Sequence, residues 1–333
     1  MRITAYAVSA TVVIFACLTS LPVPPAHAQD KRPIAPDYPT RPIKFITTVT
    51  AGGGLDIITR SVAAKMSESL TQAIIVDNVA GANGVIAMNT LISAPPDGYT
   101  ILSGGGSIPI NSVFKRFSVD VRTALTPVAE MSFQPYMVFV PAASPVNSFP
   151  ELIAYAKKNP GKISYGSSGI GSVIHMGSEL IEYMASVDMV HVPYKGAAAS
   201  NIDLAAGRLQ MLLGSISGLQ LVRTNKAKLL AVTTPQRLEA YPDKPAVAEF
   251  LPGYELYNSY FLSVRVETPD AIVNGLNREV IQALTDPDLR KKILADASNP
   301  ALPRKPAELK KKLRDEIDRW ESVVKKANIK MEE

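Results

Sequence analysis

A short β-branched run, "IKFITTV", stops at Ala51-Gly52-Gly53-Gly54 and is followed at once by Leu55, Ile58, Val62, Met66 and Leu70, spaced three and four residues apart. A second run, "AIIVDNV", comes after it. This alternation predicts strand, glycine turn, helix and strand, a unit whose two strands run parallel. It constrains the fold more than any other feature, because a parallel sheet needs helices on its faces and gathers its ligand-facing loops at one edge. The pattern recurs: "GVIAMNTLISA" reads as helix, "PPDG" as turn, and "YTILSGGG" as a strand that again ends in glycine before "SIPIN".

A new set of alternating elements occupies residues 131–252. It comprises the strand "YMVFVPA", a helix over "SFPELIAYAKKNP", the strand "KISYGSS", a helix from Ser172 to Met184, the strand "MVHVPYKG", a helix over "AAASNIDLAAG", and the strands "LQMLLGSI" and "AKLLAVTT". "YELYNSYFLSVRVE" is strand-like and carries the chain back towards the first half. Thr268 and Pro269 have the character of an N-cap and first helical residue ahead of Val273, Leu276, Val280 and Leu284. A last helix sets Leu309, Leu313, Ile317, Trp320 and Val324 on one side. A chain that leaves one α/β lobe, builds a second and returns has a two-stranded hinge and a cleft between the lobes. The expected division is a leader over 1–28, a first lobe over 29–130 plus 253–333, and a second lobe over 131–252.

The leader is read from Arg2, the apolar run "AVSATVVIFACL" and Ala26-His27-Ala28, which fit a secretory signal peptide cut before Gln29. A membrane anchor is the weaker reading, as the run is too short to span a bilayer comfortably. Lipidation at Cys17 competes poorly because "IFAC" is a poor lipobox. Cys17 is the only cysteine and leaves with the leader, so the mature chain has no disulfide or thiol chemistry. The net charge of +5 is spread among acids, as in "ELKKKLRDEIDR", which argues against a nucleic-acid surface.

Catalytic readings fare badly. Only His175 and His191 remain after the leader, and no metal-binding spacing joins them, so no metal is expected. Ser167, Ser168 and His175 invite a serine hydrolase, with Ser168 as nucleophile and His175 as base, yet Gly166 to Ile170 does not match G-x-S-x-G. The glycine loop lacks the lysine of a phosphate loop, and Ile57 stands where a dinucleotide fingerprint needs glycine. No cofactor is expected. What remains is anion binding by backbone N–H groups where a glycine-ended strand opens into a helix. Ala51 to Asp56 offers one such loop, Ser167 to Ser172 a second and Gly104 to Ser107 a third. Asp56 is a local cap or orients a water at the ligand; His175 is helix packing or a ligand contact; His191 is core or hinge packing. Tyr194 and Lys195, at the end of a strand, can reach an anion in the cleft, and Trp320 is core.

These residues resemble the substrate-binding receptors of tripartite tricarboxylate transporters, also called Bug-type periplasmic binding proteins. The likeness runs from "YPTRPIKFI" to the final "NIK" and rests on "AGGGLD", "APPDGYTIL", "GKISYGSSGIGSVIHM", "VDMVHVPYKG", "KLLAVTT" and "LPGYE". It implies a bilobed type II periplasmic binding fold, two α/β lobes joined by a two-stranded hinge, that closes over a small carboxylated solute. In that family the carboxylate is held between the first-lobe loop, here Ala51, Gly52, Gly53, Gly54 and Asp56, and the second-lobe loop, here Ser167, Ser168, Gly169, Ile170, Gly171 and Ser172. Gly105, Ser107, Tyr194 and Lys195 line the rest.

Departures bear on the ligand. Relatives commonly read Pro-Phe-Pro-Pro where this chain has Thr48-Val49-Thr50-Ala51, often carry Asn where Ile170 stands, and frequently place an acid where Gly214-Ser215 lies. Loss of the acid argues against an amino-acid ligand, and Val49 with Ile170 points to a more apolar solute. The resemblance implies a monomeric, non-catalytic periplasmic receptor that delivers an organic acid to permease subunits. A sensory receptor for the same ligand class, or a hydrolase using Ser168 and His175, are the alternatives.

Overall fold

The computed structural model describes residues 34–194, 197–215, 218–295, 298–326 and 329. The leader over 1–28, Cys17 and Lys195 therefore lie outside the described residues. The elements run β1 (Ile43–Thr47), α1 (Gly54–Leu70), β2 (Ile74–Asn78), α2 (Val85–Ser93), β3 (Thr100–Gly104), α3 (Ser107–Val113), α4 (Val121–Ala124) and β4 (Leu125–Pro135). Next come β5 (Met137–Pro141), α5 (Phe149–Lys158), β6 (Ser164–Ser167), α6 (Val173–Ala185), β7 (Val190–Pro193), α7 (Ala197–Ala205), β8 (Met211–Gly214), α8 (Leu219–Arg223) and β9 (Ala227–Val232). The chain closes with β10 (Tyr257–Arg265), α9 (Asp270–Ala283), α10 (Pro287–Ala295), β11 (Asn299–Pro300) and α11 (Pro306–Lys326). Among the described residues no helix is long and apolar enough to cross a membrane.

Two sheets form. The first has the order β11-β4-β10-β3-β1-β2 and the second β7-β6-β8-β5-β9. β1 lies parallel between β2 and β3, as the β-branched runs around α1 predict. In the second sheet β6 lies parallel between β7 and β8. Parallel strands end together, so the loops after β1 and β3 share one edge of the first sheet, and those after β6, β7 and β8 share one edge of the second. Ile43, Phe45 and Ile46 are fully buried in β1 against helices on both faces, which is why this strand reads as a nearly continuous apolar run.

The chain passes between the sheets twice, at Tyr136 and at Leu256. Buried Thr233 pins the crossings to each other. Its hydroxyl accepts the Tyr136 N–H at 3.1 Å and lies 2.7 Å from the carbonyl oxygens of Tyr136 and Leu256, donating to one of them. Long antiparallel pairing of β4 with β10 builds the hinge. Across it, buried Glu130 of β4 is bonded by the Ser259 hydroxyl of β10 and by Lys312 Nζ of α11 at 2.6 Å.

α11 belongs to two cores. Leu313 and Ile317 pack with Ile46, Met88 and Leu102 beside the first sheet, whereas Trp320 and Val323 pack with Val138 and Leu213 of the second and with Leu180 of α6. Val323 is buried and Val324 only half-buried, so the predicted stripe is shifted by one residue in the last turn. Pro269, in extended backbone, is the N-cap of α9, one residue later than the Thr268 cap expected from the sequence. "SIPIN" forms α3, which no periodicity foretold.

Candidate functional site

The loop after β1 is shaped from inside. Thr48 is buried and its N–H donates to the Ser103 carbonyl at 3.2 Å; the Val49 carbonyl accepts from Asn78 Nδ2 at 3.1 Å. Gly52 has φ +84°, the left-handed region that favours glycine. Its N–H donates to Asp56 Oδ2 at 2.9 Å, while Asp56 Oδ1 accepts from Asn78 Nδ2 at 2.8 Å and Arg60 Nε at 3.0 Å. Burial pushes the Asp56 carboxyl up, but the bonds from Arg60, Gly52 and Asn78 outweigh it and hold the group below its usual range. Asp56 thus spends its charge on the loop. Asn78, at the end of β2, is a partner no local pattern revealed.

α1 starts at Gly54 with Gly53 as its N-cap, and no side chain caps it. An N-cap side chain ordinarily sits over the first N–H groups of the helix and accepts from them. Here that place is empty. Among the described residues the N–H groups of Gly54, Leu55 and Asp56 have no acceptor, beside the exposed Ala51 and Gly52.

The loop after β6 is braced by histidines. Ser167, fully buried, has its Oγ 2.7 Å from His191 Nε2 and accepts the Gly169 N–H at 3.1 Å, while its carbonyl accepts the Tyr194 N–H at 3.0 Å. Ser172 caps α6 by accepting the His175 N–H at 3.2 Å. Gly171 N–H donates to His175 Nδ1 at 3.1 Å, which puts the proton of the neutral ring on Nε2, 3.5 Å from Glu179 Oε1. The rings of His175 and His191 stack with centroids 4.0 Å apart. His175 is therefore engaged at both nitrogens, and Ser168 lies exposed on the loop above it. The sequence left His191 as packing; only β6–β7 pairing shows that it sets Ser167.

Other expected residues fall around these loops. Ile170 is half-buried in the second loop. The Tyr194 hydroxyl donates to Asp203 at 2.6 Å, and burial together with that carboxylate pushes the phenol up to about 12. Ser215 follows β8 and is half-buried, its carbonyl accepting the Gly218 N–H at 2.9 Å. Ser107 opens α3, also half-buried.

The two lobes touch beside Gly106. Gly105 and Gly106 are buried, and a methyl group at Gly106 would lie 3.1 Å from Val173 Cγ2, the first residue of α6, and 3.1 Å from Asn258 Oδ1. A first-lobe loop, hinge strand β10 and the start of α6 converge here, and glycine is what lets them.

Beneath the second loop two groups titrate in opposite senses. Burial pushes the Glu182 carboxyl up to about 8 despite the Met189 N–H on its Oε1, and burial with the neighbouring His175 pulls His191 down to about 4. Between 4.5 and about 8 the folded protein keeps a proton on Glu182 that the unfolded chain has lost, so this contribution to stability is full below 4.5 and is lost as pH rises through about 8. His191 does the reverse: its contribution is present above 6.5 and is lost as pH falls through about 4. Glu182→Gln is expected to melt above wild type at pH 8, with the gap closing as pH falls to 4.5; melting curves across that range that stay parallel would refute the assignment.

Comparison with known proteins gives one consistent picture. The family model described as tripartite tricarboxylate transporter family receptor matches residues 58–329. A Pseudomonas sp. protein from the tcbD-tcbE intergenic region is 33% identical over 293 residues, covering 86% of each chain. A solved structure of an R. palustris protein with adipate is 33% identical with a TM-score of 0.75, covering 88% of this chain and 99% of that one. MatC from Rhodopseudomonas palustris, with bound malate, is 27% identical with a TM-score of 0.71, covering 86% of this chain and 100% of its own.

Proposed function

Because the chain belongs to the tripartite tricarboxylate transporter receptor family, we propose that it captures a small carboxylated organic solute in the periplasm and delivers it to the membrane subunits of a tripartite transporter. Members of this family are periplasmic solute-binding receptors, and the structural neighbours carrying adipate and malate support a carboxylate as the ligand class. The observation that supports the reading best is the uncapped start of α1. Three N–H groups without acceptors at a helix N-terminus, behind a glycine that leaves them open, suit a carboxylate without any cationic side chain. Each charge-assisted bond there contributes about 1.5–3 kcal/mol before the cost of ordering the solute.

In this reading the first jaw is Thr48, Val49 and Ala51 to Gly54, with Asp56 holding it in shape. The second jaw is Ser167 to Ser172 over His175, with Tyr194, Lys195 and Ser215 towards the far end of the solute and Gly105 and Ser107 between the jaws. The lobes divide as 29–130 plus 253–333 and 131–252, after export on residues 1–28. The receptor works without chemistry. Engagement of both His175 nitrogens supports that, since a general base needs a free one.

Calorimetric titration of the purified protein with adipate and with malate tests the proposal. Saturable one-to-one binding of a dicarboxylate, with the solute recovered intact, is the expected result. Absence of binding to any organic acid, or turnover abolished by Ser168→Ala, would overturn it.

A further inference from the structure

Asn258 stands on hinge strand β10 where the lobes touch, half-buried between Gly105, Gly106 and the start of α6. Its orientation follows from chemistry. Gly106 N–H is a donor, so the Asn258 atom 2.8 Å from it is the carbonyl oxygen Oδ1. The Nδ2 group therefore faces away from Gly106 with two N–H donors, and among the described residues nothing accepts from it. An amide held rigidly by one end, with unanswered donors at the junction of both lobes and the hinge, suits a ligand acceptor.

Resting on the carboxylate-receptor reading above, we propose that Asn258 is a ligand-contact residue: Nδ2 donates to a carboxylate oxygen of the bound solute while Oδ1 keeps Gly106 in place. Both tasks fall on one planar side chain, so the solute's carboxylate is coupled to the first-lobe loop and to the hinge through a single group. Because the donor is neutral, it favours an acceptor oxygen without requiring a cation at that point in the cleft.

The two tasks sit on different atoms and can be separated. Asn258→Asp keeps an acceptor for Gly106 N–H, removes both donors and adds a negative charge; Asn258→Leu removes both tasks. Calorimetry with adipate is expected to show Asn258→Asp binding about 100-fold or more weaker than wild type, with a melting temperature within about 2 °C. Unchanged affinity in Asn258→Asp, with loss only in Asn258→Leu, would make Asn258 a brace for Gly106 and overturn the proposal. Independently of any variant's folding, the side-chain amide resonances of Asn258 in wild-type protein labelled with ¹⁵N-asparagine are expected to shift on saturation with adipate. Resonances that do not move would also overturn it. Wild-type protein that binds no carboxylate would overturn the receptor reading and this inference together, whereas normal binding by Asn258→Asp would overturn this inference alone.

Discussion

Gly53→Val is expected to lower affinity for the carboxylate solute by about 100-fold, equivalent to about 2.7 kcal/mol, while costing the fold about 1 kcal/mol or less. The asymmetry comes from where the side chain would stand. Gly53 has φ −74° and ψ 159°, extended backbone open to any residue, and a Cβ there meets only Thr50 O at 3.6 Å and Val49 Cγ2 at 3.7 Å. Nothing in the folded chain is displaced. The isopropyl group would instead cover the N–H groups of Gly54, Leu55 and Asp56, which the proposed binding mode gives to the solute's oxygens. Gly53→Ser sharpens the test, because its hydroxyl caps the helix itself: the melting temperature should hold or rise while affinity falls. Differential scanning calorimetry and titration calorimetry on the same samples separate the two quantities. If both variants lost melting temperature but bound normally, the loop would be a turn and nothing more.

Trp320→Ala is expected to remove about 3–5 kcal/mol of stability and lower the melting temperature by on the order of 10 °C. Trp320 is 1% exposed, the largest fully buried side chain, and lies among second-sheet residues although its helix starts on the first. Removing the indole leaves a cavity in the second-sheet core. Val324→Ala, one turn on and half-buried, is expected to cost under about 1.5 kcal/mol. Thermal melts of both variants check the contrast, and equal losses would refute the placement of Trp320 inside the second-sheet core.

What the sequence discloses here follows the range of the interactions involved. The glycine-ended strands, the helix spacings of α1 and the apolar stripe of α11 are local periodicities, and the structure has them close to where they are expected. Two α/β sheets with a returning hinge follow from the order of those elements. Contacts between residues far apart in the chain were not legible. Asn258 reads as one of several polar residues in β10 until that strand is set beside Gly106, and the Ser167–His191 pair exists only because β6 and β7 are neighbours. The Glu130–Lys312 bridge likewise joins strand and helix across the hinge. α3 escaped because seven residues with Pro109 inside carry no periodic signal. Asp56 shows a subtler limit. Its pairing with Arg60, four residues on, is a helix-surface rule, but the Asn78 bond that turns the carboxylate inward comes from β2.

A helix rooted in both cores has an optical consequence. Trp320 is the chain's sole tryptophan, and it lies where α11 passes from one core to the other. Long-wavelength excitation therefore addresses one indole at the boundary of the two lobes, so the unlabelled protein carries its own emitter at the place where any change in their mutual packing is felt.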